Sequence, residues 1–338
     1  MKHVFFINSH TTFLTAMGVV EYQKLKKEEI LLVLVRNYRN EMIKKYHFVD
    51  WSDLNLFSET IFANKYRVSI VRRIIKDVDA KINSIFGNCY HLYAPHLAHP
   101  LWQIAYTNIF CKCFSYIQEG MLPFTTAFVT SPKPFGVIKN WYMKIISLNR
   151  VWIYRPWFLK TEIRDFSKVD AYAINNKFFK HLPLPVHIVN WPEPNIKVKS
   201  VFEKEHTIFV FDAYVKNEVM KSDDYLCMCK KLIDLNSSLY NYLKFHPGQS
   251  ANEIKAIIDY FNVNKLGYEI LDNNVPLEYV IMKNKGLNFA GYGSSLLFLA
   301  YDYGHNVTCH DEELIQFPLY RKYRKKCGFM SFAEYTKS

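Results

Sequence analysis

Short apolar runs alternate with amphipathic stretches along the first half of the chain. Residues 4–7 and 30–35 are continuous apolar runs, typical of strands buried on both faces of a parallel sheet. The same reasoning predicts strands over 88–94 and 112–117 and helices over 13–27, within 57–86, and from the Pro95-His96 break to 108. The strand over 112–117 would deliver Gln118-Glu119-Gly120 at its carboxyl end.

The second half of the chain repeats this alternation. Strands are predicted over 206–211, 239–245, 268–271 and 286–289, and helices over 225–234, 251–261 and 277–283. Strands that alternate with helices favour parallel sheets. We therefore predict an α/β protein with one such sheet in each half.

A proline-rich segment separates the two halves. Four prolines, at 183, 185, 192 and 194, interrupt residues 182–199, so this segment is the best candidate for a linker. The predicted domains are residues 1–190 and 200–318. Residues 319–338 are predicted to form a basic helix that returns to the first domain.

Length and charge narrow the class of protein. At 338 residues the chain exceeds the usual single-domain size, and half of its residues are hydrophobic, which supplies two packed cores. A formal charge of +12 indicates anionic partners: nucleic acid, a membrane surface or a charged substrate. The sequence contains no RNP-like aromatic motif, zinc finger or basic recognition helix, so nucleic acid is the weakest of the three.

The cysteines and the N-terminus indicate a cytoplasmic protein. Seven cysteines are spread over the chain without the density of a disulfide scaffold. Cys111-x-Cys113 and Cys227-x-Cys229 invite a zinc interpretation, but two thiols on one face of a strand also pack as small apolar groups. We predict no metal site. The first apolar run is too short for a signal peptide, and no run is long enough to span a bilayer.

Three motifs in the second half carry the clearest chemistry. Lys244 and His246, followed by Pro247, alternate onto one side of a strand end, where they can present a charge and an imidazole to one phosphate. Glu278 follows a proline and offers two acceptor oxygens, which suits a ribose diol. The Gly293-Ser294-Ser295 turn precedes an apolar helix, where free N–H groups bind anions.

Each motif also has a structural interpretation. The serine pair suits an N-cap, and His246 could be a structural histidine. Glu119 could cap the helix after it, where the helix dipole favours an acid. Asp212, at the end of the first strand of the second half, is a rival catalytic base. The first strand–helix loop, with Asn8 and Ser9, is a weaker candidate for sugar contacts.

The order K-x-H-P, P-x-E and S-S resembles the nucleotide-binding half of bacterial sialyltransferases and polysialyltransferases. Those enzymes have the GT-B architecture, two Rossmann-like domains with a cleft between them. Their acidic-acidic-Gly motif corresponds here to Gln118-Glu119-Gly120, with Gln118 replacing the first acid. The resemblance is strong over the last third of the chain and thin before it.

The resemblance implies a role for each motif residue. Glu119 would be the general base, and His246 would stabilise the leaving phosphate or act as general acid. Ser294 and Ser295 would hold the phosphate, Glu278 the ribose, and Lys244 the nucleotide side. The implied enzyme is inverting and needs no metal or other cofactor.

The predicted reaction moves sialic acid, or a related nonulosonic acid, from its CMP conjugate to a hydroxyl of a bacterial surface glycan. The alternatives are a GT-B transferase that uses another nucleotide sugar, or a non-catalytic glycan- or nucleotide-binding capsule assembly protein. The basic-aromatic segment 319–326 suits either an anionic membrane surface, which would place the protein on the inner face of the cytoplasmic membrane, or a solvated last helix.

Overall fold

The computed structural model describes residues 1–55, 67–97, 99–120, 134–151, 169–179, 184–193, 202–272, 276–327 and 330–337. The chain divides into two compact units, Met1–Pro192 and Glu193–Ser338. The boundary between them falls inside the proline-rich segment predicted as a linker. No helix of the described residues is long and apolar enough to cross a membrane.

The first unit is built on a seven-stranded sheet in which every neighbouring pair is parallel. Its strands are β1 (Lys2–Ile7), β2 (Ile30–Leu34), β3 (His47–Asp50), β4 (Tyr90–Ala94), β5 (Cys111–Ile117), β6 (Val169–Ala173) and β7 (Val186–Ile188). They lie in the order β3-β2-β1-β4-β5-β6-β7. The order reverses between β1 and β4, and open α/β sheets bind ligands at the carboxyl edge of such a reversal.

Helices connect the strands of this sheet. Within the described residues of the first unit, these helices are α1 (His10–Tyr22), α2 (Val68–Phe86), α3 (Pro100–Thr107) and α4 (Pro134–Ile146). Helix α1 begins at His10 because Ser9 and Thr12 form a capping box at its N-terminus. Phe13, Ala16 and Met17 of α1 pack in a core with Phe5 and Leu32. The burial of this core holds α1 against the sheet.

The second unit has a five-stranded parallel sheet. Its strands are β8 (Thr207–Phe211), β9 (Tyr240–Phe245), β10 (Gly267–Ile270), β11 (Asn288–Gly291) and β12 (Asn306–Cys309), in the order β10-β9-β8-β11-β12. Its helices are α5 (Ser222–Asn236), α6 (Ala251–Val263), α7 (Leu277–Lys283), α8 (Ser295–Asp302), α9 (Pro318–Cys327) and α10 (Phe332–Lys337). The strand order reverses between β8 and β11.

The described tail residues pack on this second unit. Tyr320 of α9 is buried in the core that also holds Phe209 and Tyr292. Tyr335 of α10 is fully buried against the ring of Phe298, 4.9 Å between centroids. The return of this tail to the first unit stays a prediction.

The predicted α/β class, with one parallel sheet in each half, is confirmed. The helix predicted over 13–27 ends earlier, at Tyr22, because the chain turns at Lys24, whose φ is +56°. Among the described helices and strands, five had no prediction: β3, α4, β6, β7 and β12. Residues 57–66 of one predicted helix, and residues 182, 183 and 194–199 of the predicted linker, lie outside the described residues.

Candidate functional site

The carboxyl edge of the second sheet brings three predicted residues to neighbouring strand ends. Asp212 follows β8, His246 follows β9, and Ser294 lies after β11 at the start of α8. Because β8 lies between β9 and β11, these three positions share one edge at the strand-order reversal.

His246 is held by its own turn. Its backbone N–H donates to the Phe211 carbonyl (3.0 Å) and to Gln249 Oε1 (2.8 Å). Its Nδ1 accepts a hydrogen bond from the Gly248 N–H (2.9 Å), so the neutral ring carries its proton on Nε2. Burial, and then the nearby Lys216, lower the pKa of His246 below 6.5. The ring therefore offers an N–H donor while remaining neutral at pH 7.

Ser294 occupies the N-cap position of α8, as the structural interpretation predicted. Among the described residues, however, its side chain makes no capping hydrogen bond, and its hydroxyl bonds Asp212 instead. The first N–H groups of α8 are thus left for another partner. Gly293, before it, has φ +75°, and a Cβ there would lie 3.2 Å from the Asp311 Cβ. Both facts restrict this position to glycine.

Asp212 is a buried carboxyl group. Its Oδ2 has no hydrogen-bond partner among the described residues. Burial raises the pKa of Asp212 to about 7, although hydrogen bonds from Ser294 and Tyr214 lower it. A carboxyl that exchanges a proton near neutrality suits acid–base chemistry.

Lys244 and Glu278 lie within electrostatic reach of each other. Lys244 is nearly buried and its Nζ donates to the Asp272 carbonyl (3.0 Å). Burial lowers the pKa of Lys244, while the charges of Glu278 and Asp272 raise it. Glu278 lies in the first turn of α7 and is nearly buried. The structure thus brings together two of the predicted nucleotide contacts.

Glu119 lies at the carboxyl edge of the first sheet, after β5. Its Oε1 accepts a 2.6 Å hydrogen bond from Asn8 Nδ2 and lies 3.7 Å from Arg36 Nη1. His96 Nε2 is 3.5 Å from its Oε2, which has no hydrogen bond within the described part of the chain. Burial raises the pKa of Glu119, against the opposing effects of Arg36 and Asn8. A carboxylate in this state is a stronger base than one in water.

The loop after β1 sets the direction of the Asn8 amide. Thr12 Oγ1 donates to Asn8 Oδ1 (3.1 Å), and the Asn8 N–H donates back to Thr12 Oγ1 (3.2 Å). This pair turns the amide NH₂ toward Glu119. Ser9 caps helix α1, because its Oγ accepts a hydrogen bond from the Thr12 N–H.

Gln118 has a structural role that the sequence did not indicate. It is buried, its N–H donates to the Tyr172 carbonyl (3.0 Å), and its Oε1 accepts the Ile174 N–H (3.0 Å). These bonds tie the end of β5 to the end of β6. Gly120 then turns the chain with φ +44°. The helix that Glu119 was expected to cap would begin in residues 121–133, which lie outside the described residues.

Two neighbours of Glu119 were not assigned from the sequence. Arg36 ends the apolar run of β2, and its φ of +57° turns the chain at the strand end. His96 follows β4, at the Pro95-His96 break. Neither residue belongs to a recognisable sequence motif, and the order of the strands brings both to the Glu119 carboxylate.

Comparisons with known proteins place the fold. No protein-family profile matches the chain, and no curated protein sequence matches it. Among solved structures, MnaA of S. aureus, determined with UDP, is similar at 11% identity with TM-score 0.51, over 91% of this chain and 78% of that one.

Two further similar structures have lower scores. One is a putative UDP-N-acetylglucosamine 2-epimerase from Listeria monocytogenes (10% identity, 90% and 78% covered, TM-score 0.48). The other is the spinosyn forosaminyltransferase SpnP (10% identity, 93% and 82% covered, TM-score 0.48). The chain has the GT-B fold, with two Rossmann-like units.

Proposed function

We propose that the protein is an inverting glycosyltransferase that moves sialic acid, or a related nonulosonic acid, from its CMP conjugate to a hydroxyl of a bacterial surface glycan. The observation that carries the proposal is the arrangement at the carboxyl edge of the second sheet. There the K-x-H-P and S-S motifs lie at the ends of β9 and β11, and Asp212, which follows β8, lies between them.

The donor phosphate is assigned to His246 and the Ser294–Ser295 turn. His246 Nε2–H is free of the Gly248 contact, which uses Nδ1, so it is available to the phosphate. The first N–H groups of α8 supply further donors. As the bond from the sugar to the phosphate oxygen breaks, negative charge grows on the phosphate, and these donors stabilise it more strongly than in the ground state.

The ribose is assigned to Glu278. Its place in the first turn of α7 fixes the carboxylate at a helix N-terminus, where its charge is favoured. Lys244 then balances the acidic charges of Glu278 and Asp272. In this proposal Lys244 acts mainly on nucleotide affinity.

Two carboxyl groups compete for the role of general base. Glu119 has a raised pKa and is oriented by Asn8. Asp212 has a pKa of about 7 and lies beside the proposed phosphate site. We assign the base to Glu119, because the resemblance to the sialyltransferases gives that role to the second acid of their acidic-acidic-Gly motif, which corresponds to Glu119. Either group would accept the acceptor hydroxyl proton while CMP departs, with no metal required.

A second candidate is a GT-B transferase that uses a UDP-sugar. It is favoured by the similarity of the fold to S. aureus MnaA, which was determined with UDP. At 11% identity this likeness does not extend to the donor. The K-x-H-P and S-S motifs favour the CMP conjugate.

Nucleotide release distinguishes the candidates. The protein is incubated with CMP-sialic acid, UDP-sugars or GDP-sugars and a panel of bacterial glycans, with and without a chelator. We expect CMP release and a glycan product one nonulosonic acid heavier, unchanged by the chelator and lost in His246→Ala. Release of UDP or GDP alone would support the second candidate. Binding of CMP-sialic acid without release would indicate a non-catalytic protein.

A further inference from the structure

Helix α4 of the first unit presents apolar side chains to solvent. Ile138, Trp141 and Ile145 are 62%, 64% and 49% exposed, and Tyr142 is also exposed. At 3.6 residues per turn these four positions lie within an arc of about 100°. Met143, on the other side of the helix, is fully buried. We call the four exposed residues the α4 face.

Among the described residues, the charges around the α4 face are mainly basic. Residues 134–151 contain no Asp or Glu, and Lys139 and Lys144 border the two sides of the apolar arc. The neighbouring helix α2 adds Arg72, whose Nε donates to the Ile146 carbonyl (3.2 Å), and the exposed Arg73.

Helix α2 also carries two acids. Arg150 neutralises Asp79 through two hydrogen bonds, 2.6 and 2.7 Å, whereas Asp77 is exposed. One exposed acid does not offset the surrounding Lys and Arg residues. The surface near the α4 face therefore attracts anions.

An exposed apolar arc with a Trp, a Tyr and flanking lysines is the pattern of a helix that lies in a membrane interface. The aromatic rings suit the headgroup level, the aliphatic side chains the acyl boundary below it, and lysine stems can extend along the apolar arc while their ammonium groups reach phosphates. Protein–protein interfaces are depleted in lysine, which argues against a protein partner for a face bordered by Lys139 and Lys144.

We propose that the α4 face docks the protein on the surface of an anionic lipid bilayer. The occupant is the lipid surface, and the argument is the complementarity of a basic, aromatic-rich face to acidic headgroups. The proposal does not depend on the donor or the reaction. It is also separate from the basic tail 319–326, which belongs to the other unit.

Vesicle co-sedimentation of the full chain tests the proposal. The vesicles are phosphatidylcholine alone or phosphatidylcholine mixed with phosphatidylglycerol. We expect binding to the mixed vesicles only, and a loss of at least about tenfold in Trp141→Ser/Ile145→Ser, the loss expected from removing two large apolar side chains. Lys139→Glu/Lys144→Glu should also weaken binding, by at least about fivefold per lysine.

The matched control is Leu239→Ser/Val263→Ser. These two residues of the second unit are 96% and 78% exposed, so the change removes similar apolar surface elsewhere. It should leave vesicle binding unchanged. Circular dichroism establishes that each variant is folded. If the α4 variant does not fold, the test is the quenching of tryptophan fluorescence by brominated lipid. This quenching should be weaker in Trp141→Phe than in the wild-type protein, because Trp141 is the residue expected to enter the lipid.

Three results would overturn the proposal. One is wild-type protein that ignores anionic vesicles, and another is an α4 variant that binds as well as the wild type. The third is a change of oligomeric state in the α4 variant, measured by sedimentation velocity without lipid, together with unchanged vesicle binding. That result would assign the face to a second copy of the chain.

Discussion

Asn8 Nδ2 donates a 2.6 Å hydrogen bond to Glu119 Oε1, although 111 residues separate the two. The strand order explains the contact, since β4 is the only strand between β1 and β5, which carry these residues at their ends. His96, from the end of β4, faces the other carboxylate oxygen at 3.5 Å. Three strand ends therefore orient one carboxylate.

Glu119→Gln should lower turnover by roughly a hundredfold or more, because the amide cannot accept a proton. The affinity for CMP, measured by calorimetry, should stay nearly unchanged. Since burial raises the pKa of Glu119, the wild-type rate should fall as the pH drops through that raised value. Glu41→Gln, at an exposed carboxylate, is the control. If Asp212→Asn abolishes turnover and Glu119→Gln does not, Asp212 is the base.

Asp212→Asn should stabilise the second unit at alkaline pH. The pKa of Asp212 is about 7 in the folded protein, whereas its ordinary value is 3.8. Between pH 3.8 and pH 7 the folded state therefore keeps a proton on Asp212 that the unfolded state has lost. Stability is thus present at low pH and is lost as the pH rises through 7. At about pH 8.5 the variant should gain on the order of 2–4 kcal/mol in unfolding free energy, by urea denaturation.

The same measurement at about pH 4 provides the internal comparison, since the folded carboxyl is then protonated and resembles the amide in charge. Asp259→Asn, at an exposed carboxylate, should show no comparable gain at either pH. An equal gain at both pH values would mean that ionisation of Asp212 is not its cause.

Lys216→Met should raise the pKa of His246 toward 6.5. Burial remains in the variant, but the charge that also disfavours imidazolium is gone. Titration of the ring by ¹⁵N NMR should show the rise, together with the proton of the neutral ring on Nε2. A ring protonated on Nδ1 would contradict the Gly248 contact.

Glu278→Ala should weaken CMP binding by about tenfold while changing kcat little, because the ribose hydroxyls do not change during the reaction. His246→Ala should do the reverse and lower kcat more than affinity. Steady-state kinetics with varied donor separates the two effects. A Glu278→Ala enzyme with full affinity would remove Glu278 from the ribose site.

The basic tail should add salt-sensitive binding to anionic vesicles. Arg321, Lys322 and Lys325 are exposed on α9 and each should contribute on the order of 1 kcal/mol at low salt. Arg324, which the sequence grouped with them, lies 3.8 Å from Glu334 with its side chain mostly buried, so its loss should matter less. Equal sedimentation of Arg321→Gln/Lys322→Gln/Lys325→Gln and wild type would exclude the tail from binding.

The sequence predicted the strands that are continuous apolar runs, such as β1, β2 and β8, because such runs admit few other structures. It missed β6, although that strand is largely buried. It also predicted which residues would end those strands, including Asp212, His246 and Glu119. It could not predict the order of the strands. Arg36 and His96 meet Glu119 only because β2, β1, β4 and β5 lie in that order.

The sequence also could not predict the hydrogen-bond partners of the motif side chains. Ser294 occupies an N-cap position as its residue type suggests, yet its hydroxyl bonds Asp212, 82 residues away in the numbering of this chain. Gln118 appeared as a substituted acid, but its amide ties two strands together through Ile174. Local pattern predicts backbone conformation, whereas these roles follow from long-range contacts.

The Gly293 turn bears on how the tail can be studied. Tyr320 Oη, from the basic helix α9, lies 3.9 Å from the position of a Cβ on Gly293, and Tyr214 Oη lies 3.6 Å from it. Shortening the chain before Pro318 would therefore remove a neighbour of the Gly293 turn, the proposed phosphate site, along with the positive charges. A loss of activity in such a truncated protein would not show that membrane binding is needed. Binding to lipid is better tested with substitutions that remove the charges and leave Tyr320 in place.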